Sequence, residues 1–215
     1  MVVYEDRIDA GRRLAGSLER FRGTDAVVLG LPRGGVPVAA QVARVLGLPL
    51  DVIVVRKLGV PFQPEVAMGA IGEGEVRVLD RRLISSLGVD ETALREVEER
   101  ERATLVARTR RFRLGRERLD LHGRTAIIVD DGIATGATAR AACQVARALG
   151  AARVVLAVPV GPADALSSID DADEVVCLAI PDQFWAVGTH YRDFSPTTEE
   201  DVIALLDAAS ASGER

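Results

Sequence analysis

Residues 124–149 read RTAIIVDDGIATGATARAACQVARAL, and this stretch decides the fold. Arg124–Val129 is a short apolar run rich in β-branched residues, which predicts a strand buried on both faces. Two adjacent carboxylates, Asp130 and Asp131, end it. A brief Ala-Thr-Gly-Ala-Thr turn follows. Gly136–Leu149 then confines Arg140, Gln144 and Arg147 to one stripe of an otherwise apolar segment, which predicts a helix covering the sheet and stopped by Gly150. A strand of this kind delivers its acids to the carboxyl edge of the sheet, where open α/β sheets bind ligands. A Gly-containing turn at a helix N-terminus presents backbone N–H groups to an anion, and Thr135 and Thr138 add hydroxyl donors. Adjacent carboxylates beside such a cradle suit a sugar with vicinal hydroxyls, or a bound Mg²⁺.

The same alternation extends outward in both directions. Upstream, Asp25–Leu31 predicts a strand, Pro32-Arg33-Gly34-Gly35 a turn, Val36–Leu46 a buried helix stopped by Gly47, and Leu50–Val55 a second strand. Downstream, Arg153–Val158 and Glu174–Ala179 complete the set. Continuous apolar strands separated by helices predict an α/β fold, a doubly wound and mainly parallel sheet. Two segments break the rhythm. Leu58–Asp80 is rich in Gly and Pro, with a strand-like VRVL at Val76–Leu79, and a connection this long is expected to be functional or mobile. A helical insertion then occupies about residues 81–118. Asp90 caps a helix through Arg113, with Leu94, Val97, Leu105 and Val106 as its buried stripe, acids early and Arg late as the helix dipole favours. This reads as a solvated peripheral helix, although Arg108, Arg110, Arg111 and Arg113 could reach a phosphate or a partner subunit. No linker or repeat divides residues 1–215, so one domain is expected.

Composition excludes several classes of function. The 215 residues are 48% apolar and 27% charged, the balance of a chain with a real core. Cys143 and Cys177 lie apart in apolar segments, and His122 and His190 are the only histidines, so no CxxC zinc site or HExxH centre can be assembled. There is no GxSxG elbow, and Lys57, the single lysine, has no GK[ST] around it. A net charge of −5 argues against nucleic acid as the main partner. No membrane-length apolar stretch and no secretory h-region are present, so a cytoplasmic location is expected.

At Ala126–Thr138 the chain resembles the type I phosphoribosyltransferases, whose signature is an apolar strand, two acids and a loop ending in TG-x-T. The resemblance implies a Mg²⁺-dependent enzyme that transfers the phosphoribosyl group of phosphoribosyl pyrophosphate (PRPP) to a base-like nitrogen, releasing pyrophosphate. It places Asp130 and Asp131 on the ribose hydroxyls, and Ala134, Thr135, Gly136, Ala137 and Thr138 on the 5′-phosphate. Arg33, Gly34 and Gly35 would form the pyrophosphate loop. Arg56 and Lys57, read as the end of the second strand, would also meet pyrophosphate, and Leu58–Gly74 would be the mobile catalytic loop. Residues 180–196 are similar to the hood of the 6-oxopurine members. By that likeness Phe184 or Trp185 would face the base, and Asp193, with Asp130 and Asp131, would approach the metal.

Three departures leave the acceptor open. Ala134 stands where the 6-oxopurine enzymes carry an acid. Val158-Pro159-Val160-Gly161 replaces the segment that bears their base-reading Lys, and the insertion at Arg81–Arg118 is not a feature of the well-known salvage enzymes. The expected partners are PRPP and a small-molecule acceptor, with no membrane; a homo-oligomer stays open. The alternative is a PRPP-sensing regulator of the same fold, acting on nucleic acid or a protein.

Overall fold

The computed structural model describes residues 3–213. In chain order the elements are α1 (Arg7–Ser17), β1 (Val27–Gly30), α2 (Gly35–Leu46), β2 (Leu50–Val52), β3 (Val55–Val60), β4 (Gln63–Gly72) and β5 (Arg77–Leu79). Then come α3 (Arg81–Ser86), α4 (Glu91–Arg113), β6 (Thr125–Val129), α5 (Ala137–Ala148), β7 (Arg153–Val160), α6 (Ala163–Ser167), β8 (Glu174–Ala179) and α7 (Glu199–Gly213). The main sheet is parallel throughout, in the order β2-β1-β6-β7-β8. This is the doubly wound α/β fold that the alternation predicts.

Strand periodicity sorts the core onto two faces. Ala126 and Ile128 of β6 point to one side and Ile127 and Val129 to the other, as successive side chains of a strand must. The first side is covered by α5, through Ala142, Cys143, Val145 and Ala146. The second is covered by Leu14 and Leu18 at the end of α1 and by Val38, Val42 and Leu46 of α2. Burial of Cys143 among these apolar groups pushes its thiol up to about 12, and both cysteines are free.

The upstream half of the chain departs from expectation at Leu50–Val55. Only Leu50–Val52 pairs with β1, because β1 is four residues long and its register ends with Gly30 opposite Val52. Val55 opens a second, antiparallel sheet, β3-β4-β5. Arg56 and Lys57 therefore lie inside β3 and do not end a strand of the main sheet. The segment expected as a mobile loop, Leu58–Gly74, is largely a β-hairpin that turns at Pro61-Phe62. Its apolar residues Leu58, Val60, Met68 and Ile71 are buried in one cluster with Leu94, Val97, Leu105 and Phe112 of α4, which outweighs the loop-like Gly and Pro content.

Helix α4 starts where its cap predicts: the Asp90 side chain accepts a hydrogen bond from Ala93 N at 2.8 Å. Leu94, Val97 and Leu105 are buried as expected, but Val106 is exposed and Phe112 takes its place. Val106 lies one residue, some 100° of helix, away from Leu105. The arginine cluster is also divided. Arg113 is largely buried between Asp51 (2.6 Å) and Glu73 (2.8 Å), and Arg111 pairs with Glu199, so neither is free to seek a phosphate. Arg108 and Arg110 are exposed without partners among the described residues.

Candidate active site

Strand β6 ends at Val129 and sets Asp130 and Asp131 on the carboxyl edge of the main sheet. Asp130 Oδ1 accepts the Asp131 N–H at 2.9 Å. Burial raises the proton affinity of Asp130 well above that of an ordinary carboxyl, and the charge of Asp131 adds to the shift. Asp131 is raised in the same direction by burial, partly offset by Arg7, whose Nε lies 2.8 Å from Asp131 Oδ2. Arg7 also donates to Ser195 O (2.8 Å) and lies 3.9 Å over the ring of Phe194. The Tyr191 hydroxyl donates to Asp131 O at 2.5 Å, and burial together with the Asp131 charge pushes that phenol upward.

The turn Pro32–Gly35 lies flat against this acid pair. A Cβ on Gly34 would collide with Asp131 Oδ2, and one on Gly35 would stand 2.5 Å from Val129 O and 3.0 Å from Asp130 Oδ1. Only glycine lets the backbone come this close. The Pro32–Arg33 peptide bond is cis, and the Arg33 guanidinium is exposed with no partner among the described residues.

Beyond the acids, Gly136 caps α5 with φ +74, the left-handed conformation that favours glycine. No backbone N–H of Ala134, Thr135, Gly136, Ala137 or Thr138 finds an acceptor among the described residues, and the hydroxyls of Thr135 and Thr138 are likewise unpaired. Five consecutive free donors at a helix N-terminus make an anion cradle.

The remaining candidates are placed less centrally. Arg56 is paired with Glu101 at 2.6 Å and Lys57 with Glu65 at 2.9 Å, around a pocket of about 140 Å³. Among the described residues no hydrogen bond or ion pair joins either to Asp130, Asp131 or the Ala134–Thr138 turn. The hood is laid on the sheet through Gly132, where a Cβ would come within 2.6 Å of Val187. Phe184 stacks on the buried ring of His190, with centroids 5.7 Å apart and planes 13° apart, and borders a cleft of about 620 Å³ that Ala134 also lines. Trp185 does not line this cleft and is 84% exposed. Asp193 is exposed, and its Oδ1 accepts from Ser195 N (2.9 Å) and Ser195 Oγ (2.5 Å).

Arg7 is the neighbour of the acid pair that the sequence conceals. It stands 124 positions from Asp131 in an ordinary amphipathic helix, with no motif around it. The one available signal was the unmatched burial of two adjacent acids, which calls for a cation from somewhere.

The model of the phosphoribosyl transferase domain matches residues 4–193. Proteins from two strains of Mycobacterium tuberculosis, each named provisionally as a phosphoribosyl transferase, are 58% identical over 210 residues, 97% of this chain and 47% of theirs. The chain thus spans about half the length of these curated relatives. The crystal structure of TT1426 from Thermus thermophilus is 44% identical, covers 95% of this chain and 98% of its own, and superposes with a TM-score of 0.90. A hypothetical protein from Neisseria gonorrhoeae crystallised with ppGpp shares the fold at 15% identity, with 96% and 94% of the two chains covered and a TM-score of 0.51. With an acid pair, a glycine turn and an anion cradle on one sheet edge, and a family match across most of its length, this chain belongs to the phosphoribosyl transferase domain family.

Proposed function

We propose that the chain is a phosphoribosyltransferase that moves the phosphoribosyl group of PRPP to a base-like nitrogen. The nitrogen bonds to C1 as the C1–O bond to pyrophosphate breaks, the electron pair leaves with the pyrophosphate oxygen, and the nitrogen's proton passes to solvent. The observation that supports this most is the packing of Gly34 and Gly35 directly on Asp131 and Asp130, with only Gly132 and Ile133 between the acids and the anion cradle. On this reading one anion, the ribose diol and a second anion would lie in a row.

Each part has a physical task. The free N–H groups of Ala134–Thr138 would hold the 5′-phosphate, and Asp130 and Asp131 the ribose hydroxyls. Arg33, with the backbone at Gly34 and Gly35, would hold pyrophosphate. Catalysis on this account is positioning and charge stabilisation more than covalent chemistry. Arg7 acts behind the site, cancelling one of the two carboxylate charges and fixing the orientation of Asp131. Arg56 and Lys57 would have to leave Glu101 and Glu65 to join pyrophosphate.

Mg²⁺ fits this donor set as a guest shared with substrate. Among the described residues no group of three or more His, Cys, Asp or Glu gathers to hold a metal by itself. Mg²⁺ is commonly bound by one or two carboxylates plus substrate phosphates, and a cation would relieve the repulsion that raises the proton affinity of Asp130. Asp130 and Asp131 would hold it, and when bound it neutralises the leaving pyrophosphate. Asp193 would have to release Ser195 to take part.

Calorimetric titration with PRPP and Mg²⁺ tests the reading. Saturable binding is expected, lost in Asp130→Asn/Asp131→Asn with circular dichroism unchanged. Equal affinity in the double variant, or no binding by the native chain, would overturn it.

A further inference from the structure

Helix α4 sorts its charges by face. Those on the side that packs against the protein are matched within the chain: Glu98 by Arg77 and Arg102, Glu101 by Arg56, and Arg113 by Asp51 and Glu73. On the opposite side Glu96, Glu99 and Arg110 are exposed, and no hydrogen bond or ion pair engages their side chains among the described residues. Isolated surface charges of this kind are ordinary; their order along the helix is not.

Glu96, Glu99, Ala103, Val106 and Arg110 recur at intervals of three and four, which places them in one stripe. It lies away from the buried Leu94, Val97, Leu105 and Phe112. The stripe runs from acidic through small and apolar to basic. The helix dipole explains Glu91 in the first turn and Arg110 in the last, but its influence fades within a turn, and Glu96 and Glu99 lie beyond it. In the middle, Val106 is 44% exposed, an apolar side chain left without cover beside the exposed Ala103 and Ala107.

Turned end over end, such a stripe is its own complement. Glu96 and Arg110 are equally far from Ala103 along the helix, so a two-fold axis there sets each against its opposite on a second copy. The apolar middle of each stripe would cover that of the other, and the alanines at the crossing let the helix axes approach to about 8 Å. A parallel pair would oppose acid to acid and Arg to Arg, so the charges select the antiparallel one.

We propose that the outward face of α4 is a self-association surface that takes a second copy of this chain, α4 against α4 in antiparallel order. The inference does not rest on the transferase reading.

Sedimentation velocity of the full chain over a range of concentrations tests it, with circular dichroism to confirm folding. One pair of helices about 34 Å long buries less than the roughly 1,200 Å² at which standard interfaces start, so a weak, concentration-dependent dimer is expected. It should be weaker again in about 1 M salt, where charges are screened beyond about 3 Å. Glu96→Arg/Glu99→Arg should raise the dissociation constant about tenfold or more, and so should Arg110→Glu, because either leaves the stripe with a single sign of charge. Mixed in equal amounts, the two variants should pair with at least the native affinity, since one then carries a basic stripe and the other an acidic one. A chain that stays monomeric at every concentration overturns the proposal, as does a dimer indifferent to both reversals or a mixture that stays monomeric.

Discussion

Asp130 is kept at a cost to the ligand-free protein. Burial and the neighbouring Asp131 raise its folded pKa above the unfolded value, so the native state holds its proton more tightly than the unfolded chain does. Stability from such a group is complete below the unfolded carboxyl pKa and is lost as pH rises through the folded pKa. At neutral pH the penalty is therefore in force. Asp130→Asn is expected to raise the melting temperature by a few degrees at pH 7, in chelator and without PRPP, and to flatten the fall in stability above acid pH. Asp131→Asn should give a clearly smaller gain, because burial raises Asp131 too but the substitution also takes from Arg7, whose side chain is 12% exposed, its carboxylate partner. Differential scanning calorimetry across pH 4–8 checks both; an equal or larger gain for Asp131→Asn would contradict the assignment of Arg7 to Asp131.

An arginine at its end ties helix α4 to the main sheet. The Arg113 fork reaches Asp51 on β2, Val52 O and Glu73 at the end of β4, with all three charged side chains 11% exposed or less. Asp51 is also the acceptor for Leu119 N at 2.9 Å, so the same carboxylate holds the chain as it leaves the insertion. Removing one member of such a buried cluster leaves charge without compensation, which costs about 3–5 kcal/mol. Arg113→Met should lower the urea-unfolding free energy by about that amount. Adding Asp51→Asn and Glu73→Gln should recover part of it, because the stranded charges are removed. A triple variant that is less stable still would show that the hydrogen bonds, more than the charges, hold the insertion in place.

At the scale of the whole molecule the second sheet meets helix α5, which covers the main sheet, at Gly72, the last residue of β4. A Cβ there would collide with Val145 of α5, a short β-branched side chain with no room to swing away. Gly72→Ala should destabilise by about 1–3 kcal/mol through overpacking, measured by urea unfolding. Because Val145 belongs to the face of α5 that covers β6, the helix that follows the Ala134–Thr138 turn would move as well. A companion fall in PRPP affinity is therefore expected. Gly16, which lies in α1 with open space where a Cβ would go, is the control, and Gly16→Ala should raise stability slightly, by about 0.4–1 kcal/mol, and leave PRPP affinity unchanged. Equal effects at the two positions would deny that the sheets are coupled through this contact.

What the amino-acid sequence determined alone was everything carried by contiguous residues. The strand, acid pair, turn and helix at 124–149, the αL stop at Gly47 and the Asp90 cap are all local signals, set by periodicity, capping and glycine dihedrals. Tertiary structure decided what depends on partners far along the chain. It split Leu50–Val55 between two sheets because β1 is too short to pair all of it. The Gly- and Pro-containing 58–74 segment became a hairpin because α4 buries its apolar residues. It turned Phe184 into the cleft wall and left Trp185 exposed, a choice that neighbouring aromatics do not make by themselves. Arg7 was set on Asp131, and Arg113 between Asp51 and Glu73, across 124, 62 and 40 positions of sequence. Periodicity reports which residues face inward; only the packed chain decides which buried charge finds which partner, because that pairing follows distance in space and burial, neither of which a local pattern encodes.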